Sequence, residues 1–72
     1  MGKLRVLSAK AICQILVENG FSQIRKHGSY IIMQKKIDDS TITVPIPNYA
    51  EIKIGTLQSI LRQSRLPRSL FE

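Results

Sequence analysis

Three strand-like runs in the middle of the sequence lie too close together for any arrangement except an antiparallel meander. Their connections are only three and five residues long, whereas parallel strands need a crossover of about a dozen residues or more. The strand-forming residues, and the turn residues between them, assign the runs to residues 21–26, 30–35 and 41–46. The middle of the chain is therefore predicted to form a three-stranded antiparallel sheet.

The third run defines one face of this sheet most clearly. Ile42, Val44 and Ile46 alternate with threonine and proline, so these three side chains are predicted to face the core. Pro45 and Pro47 have no amide N–H to donate to a neighbouring strand. The third strand is therefore expected at an edge of the sheet or close to its own end.

An amphipathic helix is predicted before the strands, over residues 9–19. Ser8 can accept hydrogen bonds from the free amides of its first turn, and Leu7 can pack against Ile12 one turn later. Gly20 can take the left-handed conformation that ends a helix. Apolar residues recur along this segment at helical spacing, which predicts one buried face.

A second amphipathic helix is predicted after the strands. It begins at about Lys53 or Thr56, ends at Ser64 and is expected to pack beside the first helix, followed by a single turn at Pro67. The order of elements is α-β-β-β-α, which predicts an α+β two-layer sandwich. With 72 residues, 43% of them hydrophobic, the chain is expected to form one domain over residues 1–72.

The single cysteine and the absence of a long apolar run bear on where the protein works. Cys13 cannot form a disulfide within the chain and borders the apolar helix stripe, so it is predicted to be a small core residue in a reducing compartment. No stretch approaches the roughly 18 apolar residues of a membrane span, and the N-terminus has no signal-peptide pattern. A soluble, cytoplasmic protein is expected.

The charge balance favours a polyanionic partner. Eleven Lys and Arg against five Asp and Glu give a net charge of +6 and a pI near 10.0. Nucleic acid is the leading candidate for that partner. The alternatives are a basic surface that only aids solubility, or one that binds an acidic protein.

Several kinds of catalytic site are excluded by the residues available. His27 is the only histidine, the five carboxylates are scattered, and the four glycines are too dispersed for a phosphate-binding loop. No metal and no cofactor are therefore expected. What remains is acid–base chemistry on RNA, because RNA supplies its own nucleophile, the 2′-hydroxyl group.

Residues 25–30 concentrate the groups that such chemistry needs. Two cations, an imidazole, a hydroxyl and a phenol meet at one tight turn, and Tyr30 is predicted to face outward because it alternates with Ile31 and Met33. The alternative is an ordinary solvated turn in which Gly28 takes a positive φ and the cations are surface residues. The residues alone leave both interpretations open.

Five segments of the sequence occur in an order typical of one protein family. They are Leu7-Ser8 at the start of a helix, Asn19-Gly20-Phe21, Gly28-Ser29, Thr43-Val44-Pro45, and the run Gly-Thr-Leu-Gln-Ser-Ile-Leu-Arg-Gln from Gly55 to Gln63. Together they resemble the HicA toxin family, and the resemblance covers nearly the whole chain. It implies a fold like the double-stranded-RNA-binding domain, an mRNA-cleaving endoribonuclease that blocks translation, and neutralisation by a HicB-like antitoxin.

The chain departs from the family pattern at the residue that the family uses for catalysis. The pattern is Gly-Ser-His, with a catalytic histidine, whereas this chain has Tyr30 after Gly28 and Ser29. A free phenol titrates at about 10 and a free imidazole at about 6.5, so tyrosine is the poorer base at neutral pH. His27 could substitute only in part, because its side chain is expected to emerge from a different place across the turn.

A second departure lies at the end of the last helix. The family commonly has glycine there and this chain has Arg65, which costs on the order of 1 kcal/mol if the left-handed conformation is kept. The alternative is that the helix ends in another way before Pro67.

The resemblance and the charge pattern together assign site residues. The expected catalytic residues are Tyr30, His27 and Ser29, and the expected RNA-binding residues are Arg25, Lys26, Gly28, Lys35, Lys36, Lys53 and Arg62. Without the family resemblance, lysines on a hairpin are more often solvated surface charges that prevent an edge strand from pairing with another chain.

Three hypotheses of function follow from the sequence. The first is an active endoribonuclease toxin. The second is a descendant that binds RNA or antitoxin but has lost cleavage with its histidine. The third is a protein-binding module whose positive charge meets an acidic partner.

Overall fold

A computed structural model describes residues 3–72 and shows a helix, a three-stranded antiparallel sheet and a second helix, in that order. Met1 and Gly2, which the single-domain expectation included, lie outside the described residues. The elements are α1 (Ala9–Glu18), β1 (Ser22–His27), β2 (Tyr30–Ile37), β3 (Ser40–Pro47), α2 (Ile54–Ser64) and a 3-10 turn (Arg68–Phe71). The α+β class and the α-β-β-β-α order predicted from the sequence are confirmed, and the arrangement is consistent with a double-stranded-RNA-binding-domain-like fold.

Local signals set the bounds of α1 as the sequence predicts. The Ser8 hydroxyl accepts a hydrogen bond from the backbone N–H of Ala11 at 3.1 Å. At the other end the N–H groups of Asn19 and Phe21 donate to the carbonyl of Leu16, and Gly20 has a φ of 96°. The helix therefore begins and ends where polar groups are available to satisfy its free backbone.

The sheet has the order β1-β2-β3, so β3 lies at an edge as its two prolines predict. The β2–β3 connection is shorter than the five residues expected from the sequence. Ile37 pairs with Ser40, which leaves a turn of only Asp38 and Asp39. Asp38 has a φ of 44°, a conformation that aspartate tolerates better than most residues, so pairing extends to the turn.

Both helices pack on one face of the sheet, and the core lies between these two layers. α2 lies against β3, while α1 contacts β1, β3 and the 3-10 turn. The fully or largely buried hydrophobic residues are Ala9, Ile12, Leu16, Phe21, Ile31, Met33, Ile42, Val44, Ile46, Ile52, Leu57, Ile60 and Phe71. The opposite face of the sheet has no layer packed on it in residues 3–72, which leaves side chains there in contact with solvent.

A short antiparallel bridge ties the segments that lead into the two helices. Leu7 pairs with Ile52, and the N–H of Ile52 donates to the Leu7 carbonyl at 2.7 Å. Ile52 is buried, so this bridge also closes one edge of the core.

The last helix ends in a left-handed residue although no glycine is present there. Arg65 has φ 59° and ψ 23°, and its N–H donates to the carbonyl of Leu61 at 3.1 Å. The chain thus keeps the cap geometry that suits glycine and accepts the steric cost of a Cβ atom.

We predict that Arg65→Gly stabilises the protein. Removing the Cβ atom relieves the left-handed strain, and the gain exceeds the added flexibility of the unfolded chain by roughly 0.5–1 kcal/mol. Thermal unfolding should show a Tm higher by several degrees. The matched control is Arg62→Gly, the same change inside α2, which should instead lower stability by about 1 kcal/mol. A lower Tm for Arg65→Gly would contradict the strain at this residue.

Candidate active site

The hairpin between β1 and β2 is a two-residue turn made of Gly28 and Ser29. Gly28 has a φ of 60° whereas Ser29 does not have a positive φ, the pattern of a type II′ turn. A Cβ atom added at Gly28 would meet nothing within 4 Å, so glycine is needed there for its backbone angle and not for space. The Ser29 carbonyl accepts a hydrogen bond from the N–H of Asn48 at 2.7 Å, which holds the turn against the end of β3.

This turn brings His27 and Tyr30 together. The two residues are direct partners in the β1–β2 register, so their side chains lie on the same face of the sheet. The Cβ atoms of such partners are about 4.5–5.5 Å apart. The expectation that His27 emerges from a different place than Tyr30 was wrong, because His27 is the last residue of β1 and not part of the turn.

Both side chains of this pair are accessible to solvent. Tyr30 is 44% exposed while Ile31 and Met33 are buried on the opposite side of β2, as the alternation predicts. His27 is also exposed. A substrate could therefore reach the imidazole and the phenol together from the open face of the sheet.

Strand alternation beyond a β-bulge at Ile24 decides which cation joins the pair. The register shifts between Gln23 and Arg25, after which Arg25 lies opposite Ile32, on the same face as His27. Lys26 lies opposite buried Ile31, on the side of the helices. The two cations that the sequence grouped together are thus separated by the sheet.

The remaining predicted RNA-binding residues are not gathered at this turn. Lys35 and Lys36 lie near the other end of β2, about 17 Å along the strand from Tyr30. The Lys35 ammonium is 5.9 Å from the centre of the Phe21 ring, a cation–π contact at the edge of the core.

The two cations predicted on the last helix are exposed and lie outside the hairpin. Lys53 precedes the first turn of α2 and makes no side-chain cap hydrogen bond. Arg62 donates to the Ser59 hydroxyl at 3.2 Å. Together with Lys36 they contribute to a basic surface, and not to a single cluster.

Outside the hairpin, we looked for a reactive thiol, a metal site and a membrane span. Burial raises the pKa of the Cys13 thiol, which leaves less of the reactive thiolate at neutral pH. Residues 3–72 contain no group of three or more His, Cys, Asp or Glu placed to hold a metal ion. None of the helices in this part of the chain has the length and apolar character needed to cross a bilayer.

Sequence reasoning missed the bulge and the cross-strand pair. The local sequence around Ile24 carries no turn residue, so nothing in it indicates an extra residue in β1. The Gly28-Ser29 dipeptide is the one signal that could have placed His27 opposite Tyr30, since glycine at the first turn position is typical of a two-residue hairpin.

Comparison with known protein families gives a match over most of the chain. A family model described as "HicA toxin of bacterial toxin-antitoxin" matches residues 9–66. The match begins with α1 and ends just beyond α2, so it includes the whole sheet and the hairpin that carries His27 and Tyr30. No curated protein and no solved structure matches the chain.

Proposed function

This chain belongs to the HicA toxin family, and on that premise we propose that it is a metal-independent endoribonuclease that cleaves mRNA and blocks translation. Toxins of this family are generally ribonucleases. The net charge of +6 suits a polyanionic substrate. Its place of action would be the cytoplasm, where mRNA is translated.

The observation that carries the proposal is the pairing of His27 with Tyr30. The family places its catalytic imidazole where this chain has Tyr30, and here an imidazole stands directly across the hairpin on the same exposed face. An imidazole displaced to the neighbouring strand can still meet a substrate bound at this turn. We therefore assign the role of the missing histidine to His27.

The chemistry requires one proton acceptor and one proton donor. His27, as the neutral imidazole, would take the proton from a 2′-hydroxyl, whose oxygen forms a bond to the adjacent phosphorus. The bond from phosphorus to the 5′-oxygen breaks, and the Tyr30 hydroxyl would give its proton to that leaving oxygen. The products are a 2′,3′-cyclic phosphate and a 5′-hydroxyl. Arg25, on the same face, would stabilise the charge that develops on phosphate.

The turn itself would hold the scissile phosphate. Gly28 has no side chain to block a close approach of the backbone, and the exposed Ser29 hydroxyl can donate to a phosphate oxygen. Lys26, Lys36, Lys53 and Arg62 would contact phosphates farther along the RNA, with Lys35 at the periphery.

A HicB-like antitoxin would bind the open face of the sheet. The family belongs to toxin–antitoxin systems, which implies such a partner. Ile24 and Tyr30 are large hydrophobic residues that remain 46% and 44% exposed on or beside this face. A protein that covers them would also block the His27–Tyr30 pair.

The second candidate function is a module that binds RNA or antitoxin without cleaving. Its support is the tyrosine at the position of the family's histidine. The two candidates differ in one measurable property, which is the rate of RNA cleavage.

We predict that His27→Ala lowers the rate of RNA cleavage by about 10²–10⁴-fold, because it removes proton transfer. Tyr30→Phe should lower it too, and Tyr30→His should raise it and increase cellular toxicity by restoring an imidazole at the family position. Cleavage of a labelled RNA and growth after expression provide the measurements.

The matched control for the phenol is Tyr49→Phe, since Tyr49 is 58% exposed and lies outside the hairpin. It should cleave like the parent. All these changes are on the surface, so unfolding free energies should agree within about 0.5 kcal/mol. A parent protein without activity, together with an inactive Tyr30→His variant, would leave only the binding module.

We predict that the antitoxin protects the β1–β2 hairpin. Amide exchange in the complex should slow over residues 24–32, and Ile24→Asp should weaken the complex at least about tenfold by placing a charge in an apolar contact. Val6→Asp is the matched control, because Val6 has a similar exposure of 51%. Protection confined to α1, with both variants binding equally well, would contradict this docking face.

A further inference from the structure

The space between α1 and β1 is not filled by side chains of either element. All six residues of β1 are exposed, including those that face the helix layer. An open groove of about 360 Å³ lies there, and we call it the α1–β1 groove. Gln23 and Lys26 form its β1 side, while Cys13 and Val17 form part of its α1 side. A core that leaves such a space next to an edge strand has room for a ligand.

The charged groups of the groove select an anion. Lys10 from α1 and Lys26 from β1 both line it, and no carboxylate does. Neither ammonium group has an ion pair among the described residues. Two unpaired lysines on facing walls suit one phosphate group between them.

The other groups suit a planar ring with polar edges. Val17, which is 50% exposed, and the largely buried Ile31 both line the groove, so each can contact the flat face of a ring. Gln14, Gln23 and Asn48 supply carboxamides that can both donate and accept hydrogen bonds. The Gln14 amide already donates to Glu18 at 3.2 Å, which leaves its carbonyl oxygen for a ligand.

The groove is joined to the candidate active site. Lys26 directly precedes His27, and Asn48 donates its backbone N–H to the Ser29 carbonyl at 2.7 Å. The groove therefore begins on the helix side of the same hairpin whose open face carries His27 and Tyr30. A nucleotide next to the cleaved phosphate could therefore cross the hairpin tip and enter the α1–β1 groove.

We propose that the α1–β1 groove binds one unstacked nucleotide of the RNA substrate, with its base between Val17 and Ile31 and its phosphate at Lys10 and Lys26. This inference rests on the proposed function. A nucleotide combines one anion with a planar ring that carries donors and acceptors, and the groove offers a partner for each part.

The direct test is a titration of the full chain with each of the four nucleoside 5′-monophosphates, in which backbone amide chemical shifts are measured by NMR. Shifts should concentrate on α1 and β1 residues of the groove, and inorganic phosphate alone should bind more weakly. Lys10→Gln should weaken nucleotide binding at least about fivefold. Lys3→Gln, an identical charge loss outside the groove, should leave it unchanged. If inorganic phosphate binds as tightly as the nucleotides, the groove does not recognise a base. If Lys10→Gln and Lys3→Gln weaken nucleotide binding equally, the nucleotide does not bind in the groove.

RNA cleavage separates failure of this inference from failure of the proposed function. With an active protein, Lys10→Gln should raise KM for RNA and leave kcat nearly unchanged, whereas His27→Ala should lower kcat. An inactive protein that still binds nucleotides in the groove would refute the ribonuclease and retain the site. If the protein cleaves RNA but nucleotides do not change the chemical shifts of groove residues, the ribonuclease would stand and the groove site would be refuted. Displacement of a nucleotide only by an acidic peptide, and never by RNA, would assign the groove to a protein partner.

The single cysteine provides a second readout. Cys13 lines the groove, and it is the only thiol in the chain. Saturating nucleotide should slow its reaction with methyl methanethiosulfonate at least about fivefold, and the adduct should block nucleotide binding until a reducing agent removes it. An unchanged reaction rate, or an adduct that leaves binding intact, would show that the nucleotide binds elsewhere.

Discussion

The conformation of Gly28 is the constraint on which the candidate site depends. Its positive φ allows a two-residue turn, and that turn sets the register of β1 against β2. A register shift of one residue would send His27 and Tyr30 to opposite faces of the sheet. Because Asn48 holds the turn to the end of β3, the hairpin is supported from outside its own two strands. The chemistry proposed here therefore depends on one backbone angle that contributes no reacting group.

The two sides of this hairpin have different environments, and we infer different roles for them. The open face carries the histidine, the tyrosine and Arg25, and no layer of residues 3–72 covers it. The helix side carries Lys26, and beside it lies a space that α1 does not fill. Strand alternation produces this division, because Arg25 and His27 are two residues apart and Lys26 lies between them. An RNA strand that crosses the hairpin tip would meet proton-transfer groups on one side and a binding groove on the other.

The sequence predicted those features that local residues determine. Ser8 and Gly20 fixed the ends of α1 because their side chain and backbone act within one turn of the helix. The predicted ends of the strands were less accurate, because strand ends depend on pairing with a neighbour. Ile37 and Ser40 belong to a predicted five-residue connection, yet they pair with each other. Arg65 shows the limit of local reasoning. Its cost could be foreseen, but the residues alone left two ways to end the helix, and the chain keeps the left-handed cap. The bulge and the groove have no local signal, because both arise from how separate segments meet.

A double-mutant cycle on single-turnover RNA cleavage shows whether His27 and Tyr30 act as one catalytic unit across the hairpin. Rates would be compared for the parent, His27→Ala, Tyr30→Phe and the double variant. Groups that act together in one step show strongly non-additive effects. We expect the double variant to cleave no more slowly than His27→Ala alone, because both groups act in the same step. Losses that multiply, or a His27→Ala variant as active as the parent, would contradict it.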